Sequence, residues 1–444
     1  MSQMSTMLEK VMTTLRTPGE TRKFLTGAGS VFILQIIGVA AAFAMQAFLA
    51  RMMTQKAFGD YSFAYNQARL LAYFGTVGLT LSVLKFIPDY LASKDWARLR
   101  GTIRAFSIIT VAASSVLAIA AIIIFAIFPP SDVDQLTLNI GLLLTPLIAL
   151  TALYVEMLRS MGSIVKAYGP LNVGQNVLMI VFAGAFTIVS GGLMNVQAIT
   201  LLGLVLLLIA IYQIVMILRG LPPMSRGVKP AYDIGTWVRV SLPMLLIRGF
   251  QVIMERVDIV VIGFMLGAVE VGIYNVASRG ANLLSFSLSA VSAITAPRMS
   301  PLYNEGRLEE LERIVKRAAL FSLAISGMFF LGLLIFSTFL LSIFGEVYII
   351  GRNTMMILAV GQLVNAFAGQ GGYLLHLTGH QNISGRIYFV SMVMNIVLNI
   401  VLIPIYGYEG AALGTAFTAI VQNVWIYIEI RRRLGINPLP LPFG

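Results

Sequence analysis

The chain has 444 residues, 58% of them hydrophobic and 11% charged, with 31 Lys and Arg against 19 Asp and Glu and a mean hydropathy of +0.87. A soluble domain is about half apolar and a quarter charged, and a disordered chain needs low hydrophobicity, so both classes are excluded. No cysteine is present and only two histidines are, which removes disulfides, zinc–thiolate and iron–sulfur centres and cysteine nucleophiles.

A helix needs about 20 apolar residues to cross a hydrocarbon core of roughly 30 Å. Ahead of the first such stretch, Leu8, Val11, Met12 and Leu15 fall on one helical face within 7–16. A short helix lying on the membrane surface and a frayed tail fit this pattern equally. The first span is predicted at 26–49. Ala42-Phe43-Ala44 has the small-x-small form of a cleavage site, but the apolar run continues through Leu49, too far for a signal peptide. Spans follow at 60–84, 104–128, 137–157, 168–190 and 195–218. The segment 219–237 contains Pro222, Pro223, Gly227 and Pro230, which stop helices, so it reads as a linker. Six more spans are predicted at 238–266, 271–296, 318–343, 352–375, 384–404 and 408–429. The resulting division is a tail 1–23, a first lobe 24–218, the linker 219–237, a second lobe 238–430 and a tail 431–444. The expected fold is an all-α integral membrane protein of twelve transmembrane helices in two pseudo-symmetric six-helix lobes around a central cavity.

Lys and Arg are distributed very unevenly across this topology. Twenty-four lie on the side that holds both termini, three (Arg51, Lys56 and Arg352) on the other side, and four within spans. The positive-inside rule then places both termini in the cytoplasm. The net charge of +12 is thus a topology and lipid-headgroup signal, and a nucleic-acid partner is not expected.

The two halves repeat at an offset of 213. Residues 58–90 align without gaps on 271–303, with eight identities: Gly59/Gly272, Tyr61/Tyr274, Ala64/Ala277, Ala68/Ala281, Leu70/Leu283, Leu71/Leu284, Pro88/Pro301 and Tyr90/Tyr303. Each matched segment is followed by a basic stretch expected to form a cytoplasmic helix, 93–104 and 307–317. Six spans per half make both halves enter and leave on one side, as in two-lobed transporters with a repeat axis along the membrane normal.

Phe58-Gly59-Asp60-Tyr61-Ser62 and Phe86-Ile87-Pro88-Asp89-Tyr90 resemble the start and end of the second span of bacterial polysaccharide-unit flippases. Gly272-Ile273-Tyr274, Pro301-Leu302-Tyr303, Asn395-Ile396-Val397-Leu398-Asn399, Pro404, Gly407 and Gly410-Ala411-Ala412 extend the resemblance. That family belongs to the superfamily of multidrug, oligosaccharidyl-lipid and polysaccharide exporters. The resemblance implies ion-coupled alternating access and a polyprenyl-diphosphate-linked oligosaccharide as cargo. It also implies membrane lipids, and polymerase or glycosyltransferases of the same pathway, as partners, and a bacterial or archaeal cytoplasmic membrane as location. A multidrug or cation antiporter of the same superfamily is the alternative.

A charge at the bilayer centre costs at least about 2.5–3.5 kcal/mol, so ionised residues inside spans should face water or each other. Six are predicted there: Arg69, Arg248, Glu255, Arg256, Asp258 and Arg279. Arg69 and Arg279 lie about nine residues, roughly 14 Å, into their spans. The repeat maps Asn66 onto Arg279 and Arg69 onto Asn282, so each lobe offers an Asn and an Arg at i,i+3 in swapped order. Such a pair of faces suits a diphosphate, which guanidinium groups bind in bidentate fashion; structural pairing with carboxylates is the other reading. Arg248 and Arg256 join the candidate substrate-binding set. In the seventh span Arg248, Gln251, Glu255 and Asp258 share an arc of about 80°. Glu255 and Asp258 are candidates for coupling to H+ or Na+, against a salt bridge for Glu255 and simple solvation for Asp258. Four arginines against two acids favour an anionic cargo over a drug cation.

Other motifs carry less. His376 and His380 have the i,i+4 spacing of a zinc pair but lack a third ligand, so no metal and no bound cofactor is expected. Gly369-Gln370-Gly371-Gly372 reads as a bend in a span, and Pro243 as a kink in the seventh. Asp132 and Asp134 sit in a loop of eight residues, 129–136, too short for a catalytic domain; they read as solvated, and an enzyme is not expected.

Overall fold

The computed structural model describes residues 20–225 and 227–440. The surface-helix expectation at 7–16 lies outside them. The described residues form helices and connecting turns with no strand. The first lobe holds α1 (Glu20–Met52), α2 (Gln55–Gly75), α3 (Leu79–Ala92), α4 (Trp96–Ile127), α5 (Gln135–Leu143), α6 (Thr145–Ser160), α7 (Ile164–Gly169), α8 (Gln175–Ser190) and α9 (Asn195–Gly220). The second holds α10 (Ile234–Met254), α11 (Val257–Met265), α12 (Ala268–Asn282), α13 (Ser285–Asn304), α14 (Leu308–Ser342), α15 (Arg352–Ala368), α16 (Gly371–Leu377), α17 (Gln381–Tyr406) and α18 (Tyr408–Leu434).

Joined across their short breaks, the described helices form twelve segments, consistent with the twelve spans expected from hydropathy. Ten segments are long and apolar enough to span on their own, and an eleventh is the α2–α3 pair, bent by 45°. The twelfth, α12–α13, falls short because Asn275, Ser278, Arg279 and Asn282 dilute its apolar character. Its repeat mate is α2–α3, so the two spans that do not qualify as single straight apolar helices are the symmetry-related ones. Hydropathy reads the second, seventh and tenth spans as unbroken or merely kinked, but the backbone interrupts them. Gly78 adopts φ +74 between α2 and α3, and a Cβ there would lie 2.3 Å from the Ser241 carbonyl oxygen. In the seventh span the helix runs through Pro243 and breaks instead at Glu255–Arg256. In the tenth, Gly369 (φ +67) separates α15 from α16, as its glycine cluster suggests. The fifth span carries a π-helical turn at Pro170–Gly174.

Two boundaries differ from expectation. The basic stretches 93–104 and 307–317 are not separate surface helices. They are the first turns of α4 and α14, because Asp95 caps α4 by accepting from the Arg98 amide and no breaker separates the amphipathic and apolar parts. The connector between lobes is also shorter than 219–237, since α9 ends at Gly220 and α10 begins at Ile234. This connector is strapped to α4: Arg100 donates to the carbonyls of Ser225 and Val228 at 3.2 and 2.9 Å. Trp237, fully buried, meets Phe106 edge-on at 5.4 Å and donates to the Tyr90 hydroxyl at 3.0 Å. The start of the second lobe is thereby anchored to the first. Trp237→Ala, which empties that site, should lower stability by about 3–5 kcal/mol, read as a fall in the detergent-solubilised melting temperature.

The lobes meet at the end of the bundle that is poor in basic residues. There Arg51 donates to the Ile343 and Ser342 carbonyls at 2.7 and 3.0 Å, capping the C-terminus of α14. Ser131 reaches the Phe264 carbonyl at 2.8 Å, and Phe58 packs edge-on against Tyr348 at 5.8 Å. Nearer the centre, α2 and α12 touch through repeat mates. Asn275 donates to Ser62 at 3.1 Å, and a Cβ on Gly272 would lie 3.4 Å from the Gly59 Cα. Residues related by the offset of 213 can touch only near the pseudo-twofold axis, so Gly59, Gly272, Ser62 and Asn275 mark that axis.

Candidate functional site

Beyond Ser62 and Asn275, toward the basic-rich end, the lobes part. A cavity of about 1010 Å³ opens there, and a second of about 530 Å³ adjoins it on the first-lobe side. Both are walled by Arg69, Arg279, Asn282, Ser285 and Ser289, so one continuous space surrounds the axis. All eight residues singled out by the sequence (Asn66, Arg69, Arg248, Glu255, Arg256, Asp258, Arg279 and Asn282) line the larger part.

Their pairing differs in detail from the symmetric picture. Arg69 and Arg279 are placed by α2 and α12, about two to three helical turns beyond the close-packed glycines. Asn66 does not join Arg279; its side-chain oxygen accepts from Arg256, and its amide donates to the Ser62 carbonyl at 2.8 Å. Arg256 reaches it because the seventh span breaks at that residue. Arg69 lies 5.5 Å from the centre of the Tyr65 ring, in cation–π contact, and Tyr65 in turn accepts from Gln175 at 3.2 Å. Arg279 keeps a buried Nε with no hydrogen-bond partner. Among the described residues no carboxylate lies within ion-pairing distance of Arg69, Arg256 or Arg279. Arg256 and Arg279 both feel the charge of Arg69. Three mutually repelling cations therefore face one polar space, with Glu255 offsetting Arg256 only from beyond ion-pairing distance, and an anion relieves the arrangement.

The two acids of the seventh span separate. Glu255 forms a salt bridge with Arg248 at 3.1 Å, and Arg248 also donates to Gln251 at 2.7 Å. Asp258 is not solvated as its distance along the span suggests: it is only 5% exposed, because the break at Arg256 turns it into the second lobe. It accepts from Tyr274, from Asn399 at 2.8 Å and from Thr415 at 2.7 Å. Asn399 also donates to Asn395 at 3.3 Å, while its own carbonyl oxygen is buried and unpartnered. The cluster thus sets one buried carboxylate among three neutral donors, Tyr274, Asn399 and Thr415. Sequence reading missed Tyr274, Asn395, Asn399 and Thr415 as partners of Asp258. The spacing of Asn395 and Asn399, i,i+4 in an apolar span, was the available signal.

Elsewhere, Asp134 caps α5 by accepting from the Thr137 amide at 2.9 Å, and its own amide donates to buried Asp60 at 2.9 Å, so it is a structural residue rather than a merely solvated one. Asp132 pairs with Lys56. His376 stacks on Tyr388 at 6.0 Å, and His380 contacts Thr378 at 3.1 Å; the two rings have separate partners.

The sequence profile of the family described as polysaccharide biosynthesis protein matches residues 24–303, and the profile described as MatE matches residues 243–401. The chain is 25% identical to the uncharacterized membrane protein MJ1068 of Methanocaldococcus jannaschii over 81% of this chain and 74% of that one. It is 27% identical to the probable low-salt glycan biosynthesis flippase Agl15 of Haloferax volcanii, over 38% of this chain and 36% of that one. Among solved structures it is similar in fold to an inward-facing multidrug resistance MATE family transporter of the MOP superfamily. That likeness has a TM-score of 0.72 and 15% identity, and it covers 92% of this chain and 98% of that one.

Proposed function

The chain belongs to the polysaccharide biosynthesis protein family, and on that premise we propose that it is a flippase for a polyprenyl-diphosphate-linked oligosaccharide. The unit is collected at the inner leaflet of the cytoplasmic membrane and released at the outer one. The observation that carries this reading is the trio Arg69, Arg256 and Arg279, gathered around one cavity without a carboxylate partner among the described residues. A diphosphate supplies the missing counter-charge and accepts bidentate hydrogen bonds from guanidinium. The protein is a transporter and not an enzyme; glycosyltransferases supply its cargo and a polymerase or transferase consumes it. With the basic-rich end in the cytoplasm, the cavity opens inward and the Arg51 and Ser131 contacts seal the outer side. Opening those contacts while closing the inner end gives alternating access.

Burial and pairing favour Asp258 over Glu255 as the coupling residue in this reading. A buried carboxylate held only by neutral groups changes its local energy strongly on binding H+ or Na+, whereas Glu255 is exposed to the cavity and already paired. The cluster adjoins Asn275 through Tyr274, so its occupancy bears on the α2–α12 contact at the axis. In proteoliposomes, Asp258→Asn should leave the protein folded and reduce gradient-driven transport at least tenfold, leaving slow downhill exchange. An unchanged response to ionophores removes the assignment.

Transport itself is tested by following a fluorescent lipid-linked oligosaccharide across the bilayer of proteoliposomes. Protein-dependent protection or exposure of the sugar supports the reading. Transport of a lipophilic cation instead of that lipid favours a multidrug antiporter.

A further inference from the structure

Moving from the axis into the second lobe, the cavity wall changes from guanidinium to carboxamide. Asn282 accepts from Gln362 at 3.3 Å, Gln362 accepts from Asn365 at 3.3 Å, and Asn365 accepts from Asn423 at 2.5 Å. These four side chains come from α12, α15 and α18 and form one unbroken ladder along the wall of the larger cavity. A carboxamide has two donors and two acceptor lone pairs, so each rung keeps capacity for a ligand. Beside the last rung, Gln422 keeps a buried side-chain oxygen with no partner. Tyr373, about half exposed, adds a ring face and a hydroxyl to the same wall.

Apart from Arg256 and Arg279, which belong to the trio, the described second-lobe wall carries one arginine, Arg248, and Glu255 matches it at 3.1 Å, with both side chains about half exposed (46% and 50%). Adjacent donors and acceptors with an aromatic face fit the vicinal hydroxyls and C–H faces of a pyranose, which a handful of placed polar groups can orient. Without Glu255, Arg248 would attract any anionic cargo to this wall. With it, an acidic sugar meets a carboxylate and gains nothing to offset lost hydration.

We propose that the second-lobe half of the cavity is the saccharide subsite, that it selects uncharged sugars, and that Glu255 is the residue that sets this charge selectivity. The inference rests on the reading of the arginine trio as the diphosphate site, because that site fixes which end of the cargo reaches the amide wall.

The test is equilibrium binding to the full-length protein in lipid nanodiscs. Three probes are used: farnesyl diphosphate, farnesyl-diphosphate-linked N-acetylglucosamine, and the glucuronic acid counterpart. The wild type should bind the N-acetylglucosamine probe more tightly than the glucuronic acid probe. Glu255→Gln, an isosteric change at a half-exposed side chain, should shift that ratio about fivefold toward the acid, the size expected for one unit charge several ångströms away in a wet cavity. An unchanged ratio overturns the role of Glu255. Asn365→Ala with Asn423→Ala should weaken both sugar probes about tenfold and leave farnesyl diphosphate unaffected; equal weakening of all three overturns the subsite. Farnesyl diphosphate binding that ignores Arg279→Gln is a separate failure. It would remove the diphosphate reading, while the Glu255→Gln ratio would still report on the wall.

Discussion

Arg279→Gln should insert normally and reduce outer-leaflet delivery of the lipid-linked unit by about 10- to 100-fold. Its Nε is buried and unpartnered, so the side chain contributes little to the resting fold. Removing the charge even relieves repulsion from Arg69 and Arg256. What is lost is a charge-assisted contact to the cargo, worth about 1.5–3 kcal/mol, or roughly one to two decades. Arg69→Gln should act in the same direction. It should be milder, because Arg69 is exposed and rests on Tyr65. The double substitution should exceed either alone. The measurement is accessibility of the sugar to an external enzyme, normalised to protein in the membrane. Undiminished delivery by the double variant would leave these arginines with no role in transport.

The second large effect is expected at the axis, where repeat mates should respond unequally. A Cβ on Gly59 would lie 1.8 Å from the Ala268 carbonyl oxygen and 2.5 Å from its carbon. Those are backbone atoms at the start of α12, so the contact cannot be relieved by a rotamer change. Gly59→Ala therefore forces α2 and α12 apart at the sealed end of the bundle, at a cost of about 1–3 kcal/mol or more. The variant should lose the closed arrangement, seen as increased labelling of a cysteine placed at Ser62 by a membrane-impermeant thiol reagent, and transport should fall severely. Gly272→Ala should be nearly silent, since its Cβ would meet nothing nearer than 3.4 Å. Equal behaviour of the two would contradict the packing of this face.

Much of the architecture is legible in the sequence because the bilayer permits few solutions. Apolar runs give the spans, and the offset of 213 brings Asn275 and Ser62 together. Counting charges inside spans found every residue of the arginine-rich wall, since an ionised group in a span has to face water or a partner. What sequence could not give is where helices break. The interruption at Glu255–Arg256 decides that Arg256 meets Asn66 while Asp258 turns into a buried cluster. A smooth helical wheel instead puts Arg248, Glu255 and Asp258 on one arc. Neutral polar residues were equally silent: Gln362, Asn365 and Asn423 resemble isolated polar interruptions until α15 and α18 pack side by side. Their meaning is tertiary, because a carboxamide is satisfied by whichever neighbour the fold brings.

The central claim is that unpaired guanidinium groups on the pseudo-axis hold a diphosphate. Its most direct measurement is the affinity of the nanodisc-embedded protein for farnesyl diphosphate, against farnesol as the uncharged control, in the wild type and in Arg69→Gln/Arg279→Gln. The wild type should bind the diphosphate far more tightly than the alcohol, and the double variant should lose about 100-fold for the diphosphate alone. Equal affinity of wild type and variant for farnesyl diphosphate would contradict the claim.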